Sequence, residues 1–251
     1  MALNRTPIPT CDFTWNLYTG CLRGCSYCYA GKLARGRLKP IYLSNPHCTA
    51  DPRADPADPF CPRYWQDREM DPLSVPKRHR SKNSALPLGT SMIFAIDMGD
   101  IFGPWIPRAW QDSLFNRMEL YPNQIFQILT KFPFEMLVYQ RDRYPDGFPQ
   151  NIWAGVTINT LSMIPDLEIL RKTKATTRYV CAEPLTERIR LTLTGIHWLI
   201  IGPQTNPLKL PDPEWVYTLI DLATRTDTAV FVKNIEMFQD VQEFPLLERK
   251  I

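Results

Sequence analysis

Thr19-Gly20-Cys21-Leu22-Arg23-Gly24-Cys25-Ser26-Tyr27-Cys28-Tyr29-Ala30 is the stretch that decides how the rest of the chain is read. Its three thiols, Cys21, Cys25 and Cys28, stand at C-x3-C-x2-C spacing within eight residues. That is too crowded for a framework of disulfides and one ligand short of a closed structural zinc site. An iron–sulfur cube is normally held by four thiolates, so three from one loop leave one iron open to a ligand that is not protein. Gly20 and Gly24 let the backbone wrap a cluster without Cβ clashes, and Arg23 puts positive charge beside an anionic group. The other reading of the same residues is a zinc or disulfide loop, which needs a fourth cysteine from a distant segment such as Cys11, Cys48 or Cys61.

Upstream of the loop, Phe13 to Tyr18 has the aromatic and Thr content of a buried first strand, so the three thiols follow a strand C-terminus. Barrels and open α/β sheets place their chemistry there. Downstream, Tyr29 to Arg37 carries good helix formers and ends at Gly36, which predicts a short first helix. From Pro40 to Gly89 the pattern dissolves into Pro, Asp, Arg and Ser, as in Ala50-Asp51-Pro52-Arg53-Ala54-Asp55-Pro56-Ala57-Asp58-Pro59. Prolines at this density exclude a long helix and predict an irregular insertion over the barrel mouth. Cys48 and Cys61 within it read either as an auxiliary metal site with His47 or as two free thiols. Lys77-Arg78-His79-Arg80-Ser81-Lys82 is a dense basic run, readable as a solvated face or as a phosphate contact.

The second half alternates between two kinds of segment. Short apolar runs occur at Met92 to Ile96, Ile125 to Leu129, Ile152 to Val156, Arg178 to Ala182, Trp198 to Ile201 and Ala229 to Val232. Helix-like stretches lie between them, clearest at Pro107 to Leu120, Pro165 to Lys172 and Pro213 to Arg225, each with Pro at or near its first turn. Continuous apolar strands alternating with helices imply a parallel sheet covered by helices, of about six to seven strands. Leu185 to Gly195 lacks a helical pattern, so the barrel is expected to be partial or irregular there. Polar residues follow the strands at Asp97 to Asp100, Thr130-Lys131, Thr157 and Asn159, Glu183-Pro184, Gly202 to Thr205 and Lys233-Asn234. In a barrel these points share one face with the cysteine loop.

The loop's spacing, with Tyr27 before the third Cys and Tyr29-Ala30 after it, resembles the cluster loop of radical S-adenosylmethionine (SAM) enzymes. The wider pattern Thr14-Trp15-Asn16, Thr19-Gly20-Cys21 and Cys28-Tyr29-Ala30 is similar to a phage-associated radical-SAM-like family of unknown function. Gly99-Asp100-Ile101-Phe102, Leu129-Thr130-Lys131, Gly155-Val156-Thr157, Glu183-Pro184-Leu185 and Lys233 resemble segments of that family too, so the likeness covers most of the chain. The chain departs from it at Asn159, where many relatives have Glu, and at Gly202-Pro203-Gln204-Thr205, where they read Gly-Gly-Glu-Ser.

The resemblance implies an α/β fold, a partial (β/α) barrel of radical SAM type forming one domain over residues 1–251, with the insertion at about 40–89. It implies a [4Fe–4S] cluster on Cys21, Cys25 and Cys28, with SAM on the open iron. Reduction by a flavodoxin- or ferredoxin-like electron donor then cleaves SAM to a 5′-deoxyadenosyl radical that abstracts hydrogen from a substrate. Residue by residue, Asp97 to Asp100, with Gly99 and Asp100 in the matching segment, would meet the methionyl amine, and Tyr27 would lie against adenine. Thr157, Asn159 and Glu183 become candidates for ribose, methionine carboxylate or substrate. Lys131 and Lys233 are the cations for a carboxylate or phosphate, and Gln204 joins them as a candidate substrate contact.

Tyr-Ala after the cluster is also similar to DNA-repair lyases of the superfamily, which favours a nucleic acid or nucleotide substrate. Tyr64, Trp65 and Trp105 either stack on bases or pack the insertion against the barrel. The competing class is a non-catalytic iron–sulfur or zinc module that binds nucleic acid or a partner. Composition narrows the setting. A net charge of +3 is too weak to argue nucleic-acid binding by itself. No apolar run approaches a membrane span, and seven cysteines without a secretory signal point to metal use in a reducing cytoplasm.

Overall fold

In a computed structural model, residues 3–69 and 74–245 are described. The chain opens with β1 (Leu3–Arg5), β2 (Phe13–Trp15) and β3 (Tyr18–Thr19), then enters α1 (Tyr29–Arg35) and α2 (Lys39–Leu43). The insertion adds β4 (Arg63–Tyr64) and α3 (Gln66–Glu69). The repeating part follows as β5 (Met92–Ala95), α4 (Arg108–Glu119), β6 (Ile125–Thr130), α5 (Pro133–Arg143), β7 (Ile152–Thr157), α6 (Asp166–Lys172), β8 (Arg178–Ala182) and β9 (Trp198–Ile201). A small hairpin of β10 (Gln204–Thr205) and β11 (Leu208–Lys209) precedes α7 (Pro213–Arg225) and β12 (Ala229–Val232).

The main sheet has eight strands in the order β1-β2-β5-β6-β7-β8-β9-β12. From β2 onward every neighbour is parallel and each new strand joins the same growing edge, while β1 caps the other edge antiparallel to β2. This is the winding of a (β/α) barrel left open between its first and last strands. Seven parallel strands fulfil the expected count. Leu185 to Gly195 contains no helix, as its sequence predicts, and packs instead through the buried side chains of Leu185, Ile189, Leu191 and Leu193.

Two apolar layers follow from the two-residue period of the strands. The outward faces, with Ile93, Phe126, Ala154, Val180, Leu199 and Val230, pack against α4 to α7. The inward faces, with Met92, Ile125, Trp153, Tyr179, Trp198 and Phe231, fill the lower barrel. Gly155 is paired with Tyr179, whose ring lies where a Cβ on Gly155 would stand, at 2.2 Å. That space lets the Tyr179 hydroxyl reach across to donate to the Ile128 carbonyl at 3.0 Å.

The lower end of the barrel is closed by residues 6–11, and the basic run holds them. Lys82 Nζ donates to the carbonyls of Thr6, Ile8 and Cys11 at 2.7–2.9 Å, while Ser81 and the Lys82 amide donate to the Asp12 carboxylate. His79 lies 3.6 Å from the same carboxylate. His79, Ser81 and Lys82 therefore work at the strand N-termini, at the opposite end from the cysteine loop, while Lys77, Arg78 and Arg80 stay exposed to solvent.

Arg63 organises the proline-rich insertion. Its side chain is fully buried and donates to the carbonyls of Asn45, Pro56, Asp58, Pro59 and Cys61. Among the described residues the insertion packs beside the cysteine loop and borders the cavity there at Phe60. The aromatics proposed for base stacking are interior. Trp65 donates to Thr19 Oγ1 at 2.9 Å, Tyr64 packs on Trp110, and Trp105 meets Phe132 edge to face.

Candidate functional site

β2 ends early because Asn16 leaves the sheet to work as an anchor. Its Nδ2 donates to Asp97 Oδ1 at 2.6 Å and its Oδ1 accepts from the Met98 amide at 2.9 Å. These bonds clip the turn after β5 to the strand that leads into the cysteine loop. The Gly20 amide donates to the Met98 carbonyl at 2.8 Å, and Gly20 and Gly99 form a parallel bridge. A Cβ on Gly99 would stand 2.9 Å from the Gly20 oxygen, and one on Gly20 would stand 2.5 Å from the Cys61 oxygen. Gly20 also sits at φ +94°, so both the approach and the backbone conformation require glycine.

The loop itself then presents its sulfurs to hydrogen-bond donors. The Gly31 amide donates to Cys28 Sγ at 3.3 Å, with Cys28 capping α1, and the Arg23 amide donates to Cys21 Sγ at 3.5 Å. Such donors favour a thiolate, whereas burial pushes the Cys21 thiol up to about 12. A bound metal resolves that opposition, because it displaces the proton and neutralises the buried charge. Among the described residues no three His, Cys, Asp or Glu side chains converge as ligands of one ion. Three thiols from one loop could hold three corners of a cube, in which each thiolate takes a different iron.

All three cysteines border one cavity of about 470 Å³ at the C-terminal end of the strands, within the range of roughly 300–1,000 Å³ usual for cofactor sites. Tyr27, Gly99, Asp100, Lys131, Thr157, Glu183, Gln204 and Lys233 border it too, so the geometry brings together eleven of the twelve positions singled out in the sequence. The twelfth, Asn159, is fully buried behind Tyr27 and donates to its hydroxyl at 2.9 Å. Ile8 and Pro9 reach the same cavity from the segment that Lys82 holds.

The two aspartates after β5 divide their tasks. Asp100 is buried and accepts from Thr130 Oγ1 at 2.6 Å, the Lys131 amide at 3.0 Å and the Phe102 amide at 3.1 Å. Its carboxylate thus joins β5 to β6 and carries more structural duty than its place at a strand end suggests. Asp97 borders the cavity, and burial pushes its carboxyl above the ordinary range despite bonds from Asn16, Thr14 and Tyr29. A partly desolvated carboxylate with no ion pair among the described residues is suited to receive a cation.

On the far wall Lys233 Nζ meets Glu183 Oε2 at 2.6 Å, both largely shielded from water. Burial opposes the charge on Lys233, but Glu183 outweighs it and holds the ammonium's pKa above its usual value. Gly202 makes this pairing possible, since a Cβ there would stand 2.9 Å from the Glu183 side chain. Lys131 borders the cavity opposite, with no ion pair within 4.0 Å among the described residues. Arg23 lies over the Phe132 ring and donates to the Lys131 carbonyl, placing a second cation at that rim.

Sequence reasoning missed Tyr29, whose hydroxyl donates to the Asp97 carbonyl at 2.7 Å, and Cys181, a cavity thiol that burial pushes up to about 12. The spacing offered a signal for Cys181, which is two residues before Glu183 on the same inward face. Cys48 and Cys61 are free thiols in contact with each other.

A family model described as protein of unknown function (DUF5131) matches residues 5–246. Comparison with curated proteins finds no match. Among solved structures, a spore photoproduct lyase variant with dinucleoside spore photoproduct is similar at a TM-score of 0.53 and 12% identity, over 92% of this chain and 78% of that one. A second, spore photoproduct lyase complexed with the same dinucleoside, has a TM-score of 0.50 and 13% identity with the same coverage. At such identity the likeness is one of fold.

Proposed function

We propose that this chain, which belongs to the DUF5131 family of proteins of unknown function, is a radical SAM enzyme acting on a nucleic acid or nucleotide. The observation that carries the reading is the convergence of Cys21, Cys25 and Cys28 with Asp97 in the lining of a single cavity at the strand C-termini. The fold likeness to spore photoproduct lyase, itself a radical SAM enzyme, supports the chemistry. The three thiolates would hold a [4Fe–4S] cluster, and the bound cluster and SAM would supply one-electron cleavage yielding a radical that abstracts hydrogen.

The chain's own residues do the positioning. Asp97, held by Asn16 and Tyr29, offers its carboxylate to the cationic end of the cofactor. Lys131 and Arg23 offer positive charge at the rim where a carboxylate or phosphate would sit, and Glu183 with Lys233 closes the far wall as a neutralised pair. The aliphatic side chains of Ile8, Ile96 and Leu129 keep the floor apolar and exclude water from a reactive intermediate. The nucleotide substrate is supported by the dinucleoside in the similar lyase structure and by the cations at the rim.

Anaerobic reconstitution with iron and sulfide, followed by SAM and dithionite, tests the reading. About four irons per chain and release of 5′-deoxyadenosine are expected, with both lost when Cys21, Cys25 and Cys28 are replaced and both kept in Cys48→Ser and Cys61→Ser. Iron retention by the triple variant, or a cluster that yields no deoxyadenosine, would return the chain to the class of non-catalytic modules. Binding of labelled oligonucleotides at two salt concentrations tests the substrate, since affinity should fall by roughly 0.7 to 0.9 log units per log unit of salt for each phosphate engaged.

A further inference from the structure

The chain's excess of positive charge is gathered in one segment. Residues 13–50 hold Arg23, Lys32, Arg35, Arg37 and Lys39 and no Asp or Glu, whereas the rest of the chain has 24 basic residues against 26 acidic ones. Arg35 is paired with Asp58, and Lys32 Nζ donates to the Asn206 carbonyl at 2.8 Å. Arg37 and Lys39 are exposed and have no ion pair or side-chain hydrogen bond among the described residues. α2 turns Tyr42 inward and leaves Ile41 and Leu43 at 51% and 40% exposure beside these charges. Exposed aliphatic side chains among unpaired cations have the make-up of a protein interface, which joins apolar contacts to a polar rim.

We propose that this corner between α1 and α2 is the docking face for an acidic one-electron carrier protein that reduces the metal centre. The inference rests on the reading of Cys21, Cys25 and Cys28 as cluster ligands. Reductive cleavage of SAM consumes an electron that neither SAM nor the three thiolates supply. On that reading the cavity belongs to cofactor and substrate, so the electron enters from the other side of the loop. Arg37, Lys39, Ile41 and Leu43 lie outside the cavity lining. Packed side chains still join them to the thiols, because Tyr42 and Ala34 share an apolar cluster with Ala30 and Phe60, against which Cys21 and Cys28 pack. α1 starts next to Cys28 and its seven residues span about 10 Å, so a carrier seated at its far end stays close to the loop. In the encounter one electron leaves the carrier's reduced flavin and enters the cluster, with no proton moved and no bond made or broken. An acidic surface opposite Arg37 and Lys39 steers the carrier onto this face. A phosphate backbone would meet the charge but leave Ile41 and Leu43 in water, so the face fits a protein better.

The test uses the full chain, reconstituted anaerobically, with an acidic flavodoxin as the probe. Calorimetry of flavodoxin binding and stopped-flow reduction by reduced flavodoxin are set beside reduction by dithionite, a small ion that needs no docking face. In the parent, flavodoxin affinity and reduction rate should both fall steeply as salt rises. Arg37→Glu with Lys39→Glu should lower both at least about tenfold at low salt. Iron content and melting midpoint should stay as in the parent, and dithionite should still reduce the cluster. Ile41→Ser should weaken binding about threefold at low and high salt alike, since an apolar contact is not screened. Lys77→Glu with Arg78→Glu, an equal change of charge elsewhere, should stay near the parent. Flavodoxin binding and reduction unmoved by the reversal at 37 and 39, with dithionite still effective, overturn the docking face and leave the cluster reading standing. Loss of oligonucleotide affinity in that variant, with flavodoxin affinity kept, assigns the face to nucleic acid and overturns the proposal equally. A parent protein that takes up no iron overturns the cluster reading and the docking face together.

Discussion

Replacing Arg63 is expected to undo the insertion and, through it, the cysteine loop. The guanidinium has three donor nitrogens, Nε and Nη1 serving buried carbonyls and Nη2 the half-buried carbonyl of Pro56. A hydrogen bond from a charged donor is worth about 1.5–3 kcal/mol net, so three directions give about 4.5–9 kcal/mol. Removing the side chain also returns the cost of desolvating a guanidinium, several kcal/mol, so Arg63→Ala should lose about 3–5 kcal/mol. At about 2–4 °C per kcal/mol for a chain of this size, the melting midpoint should fall by roughly 6–20 °C. Arg63→Lys should recover little, because a compact ammonium cannot span carbonyls on several sides.

The assay pairs thermal unfolding with limited proteolysis and iron loading. The Cys21 amide donates to the Phe60 carbonyl at 3.1 Å, so a loosened insertion should open cleavage between Asp51 and Pro62 and lower iron uptake together. A variant within about 1 kcal/mol of the parent, resistant to protease and loading iron normally, would refute the argument that these carbonyls depend on Arg63.

Asp97→Asn should stabilise the metal-free protein at neutral pH while weakening SAM binding at least about tenfold. Its folded pKa is raised, so the stability tied to its protonation is complete below the unfolded value and is lost as pH rises through the folded one. The variant's melting advantage should accordingly be absent in strong acid and grow above it, and a flat difference would contradict the assignment. Lys233→Met should cost about 2–3 kcal/mol in urea unfolding by leaving Glu183 unpaired, and adding Glu183→Gln should restore much of it. Gly99→Ala forces a Cβ to 2.9 Å from the Gly20 oxygen, so it should cost about 1–3 kcal/mol and reduce iron uptake, with far-ultraviolet dichroism little changed.

The seven parallel strands were legible because each is a short apolar run ended by polar residues, buried on both faces. The helices α4, α6 and α7 announced themselves by proline at their starts. α5 opens on Pro133 as well, yet it was harder to see, because Phe134 and Val138 lie on its exposed face and blur the amphipathic period. The first strand was read through to Tyr18, whereas Asn16 breaks it to anchor Asp97 and Met98, a demand that arises only from tertiary contact. In the site, position after a strand was enough to gather residues on one cavity, but it could not say where each polar atom points. Asn159 turns to Tyr27 and Asp100 to Thr130 and two backbone amides, partners set by neighbours up to 132 residues away in sequence.

The insertion shows why composition alone misjudges such a segment. Its prolines at 52, 56, 59 and 62 each supply a carbonyl acceptor and no amide donor, so the backbone between residues 50 and 63 carries more acceptors than donors. Such a chain cannot satisfy itself with helix or sheet, and buried carbonyls without partners would be costly. Arginine has the opposite imbalance, five donors and no acceptor, and Arg63 takes the carbonyls of Pro56, Asp58, Pro59 and Cys61 within the segment itself. One side chain thereby converts a sequence that reads as loose loop into a fixed buttress. Phe60 and Cys61 are then held where their carbonyls meet Cys21 and Gly20, so the loop that carries the thiols is gripped from the insertion on one side and from Gly99 and Met98 on the other. A site that must hold three sulfurs at fixed separations gains more from this double grip than from a cover over its mouth.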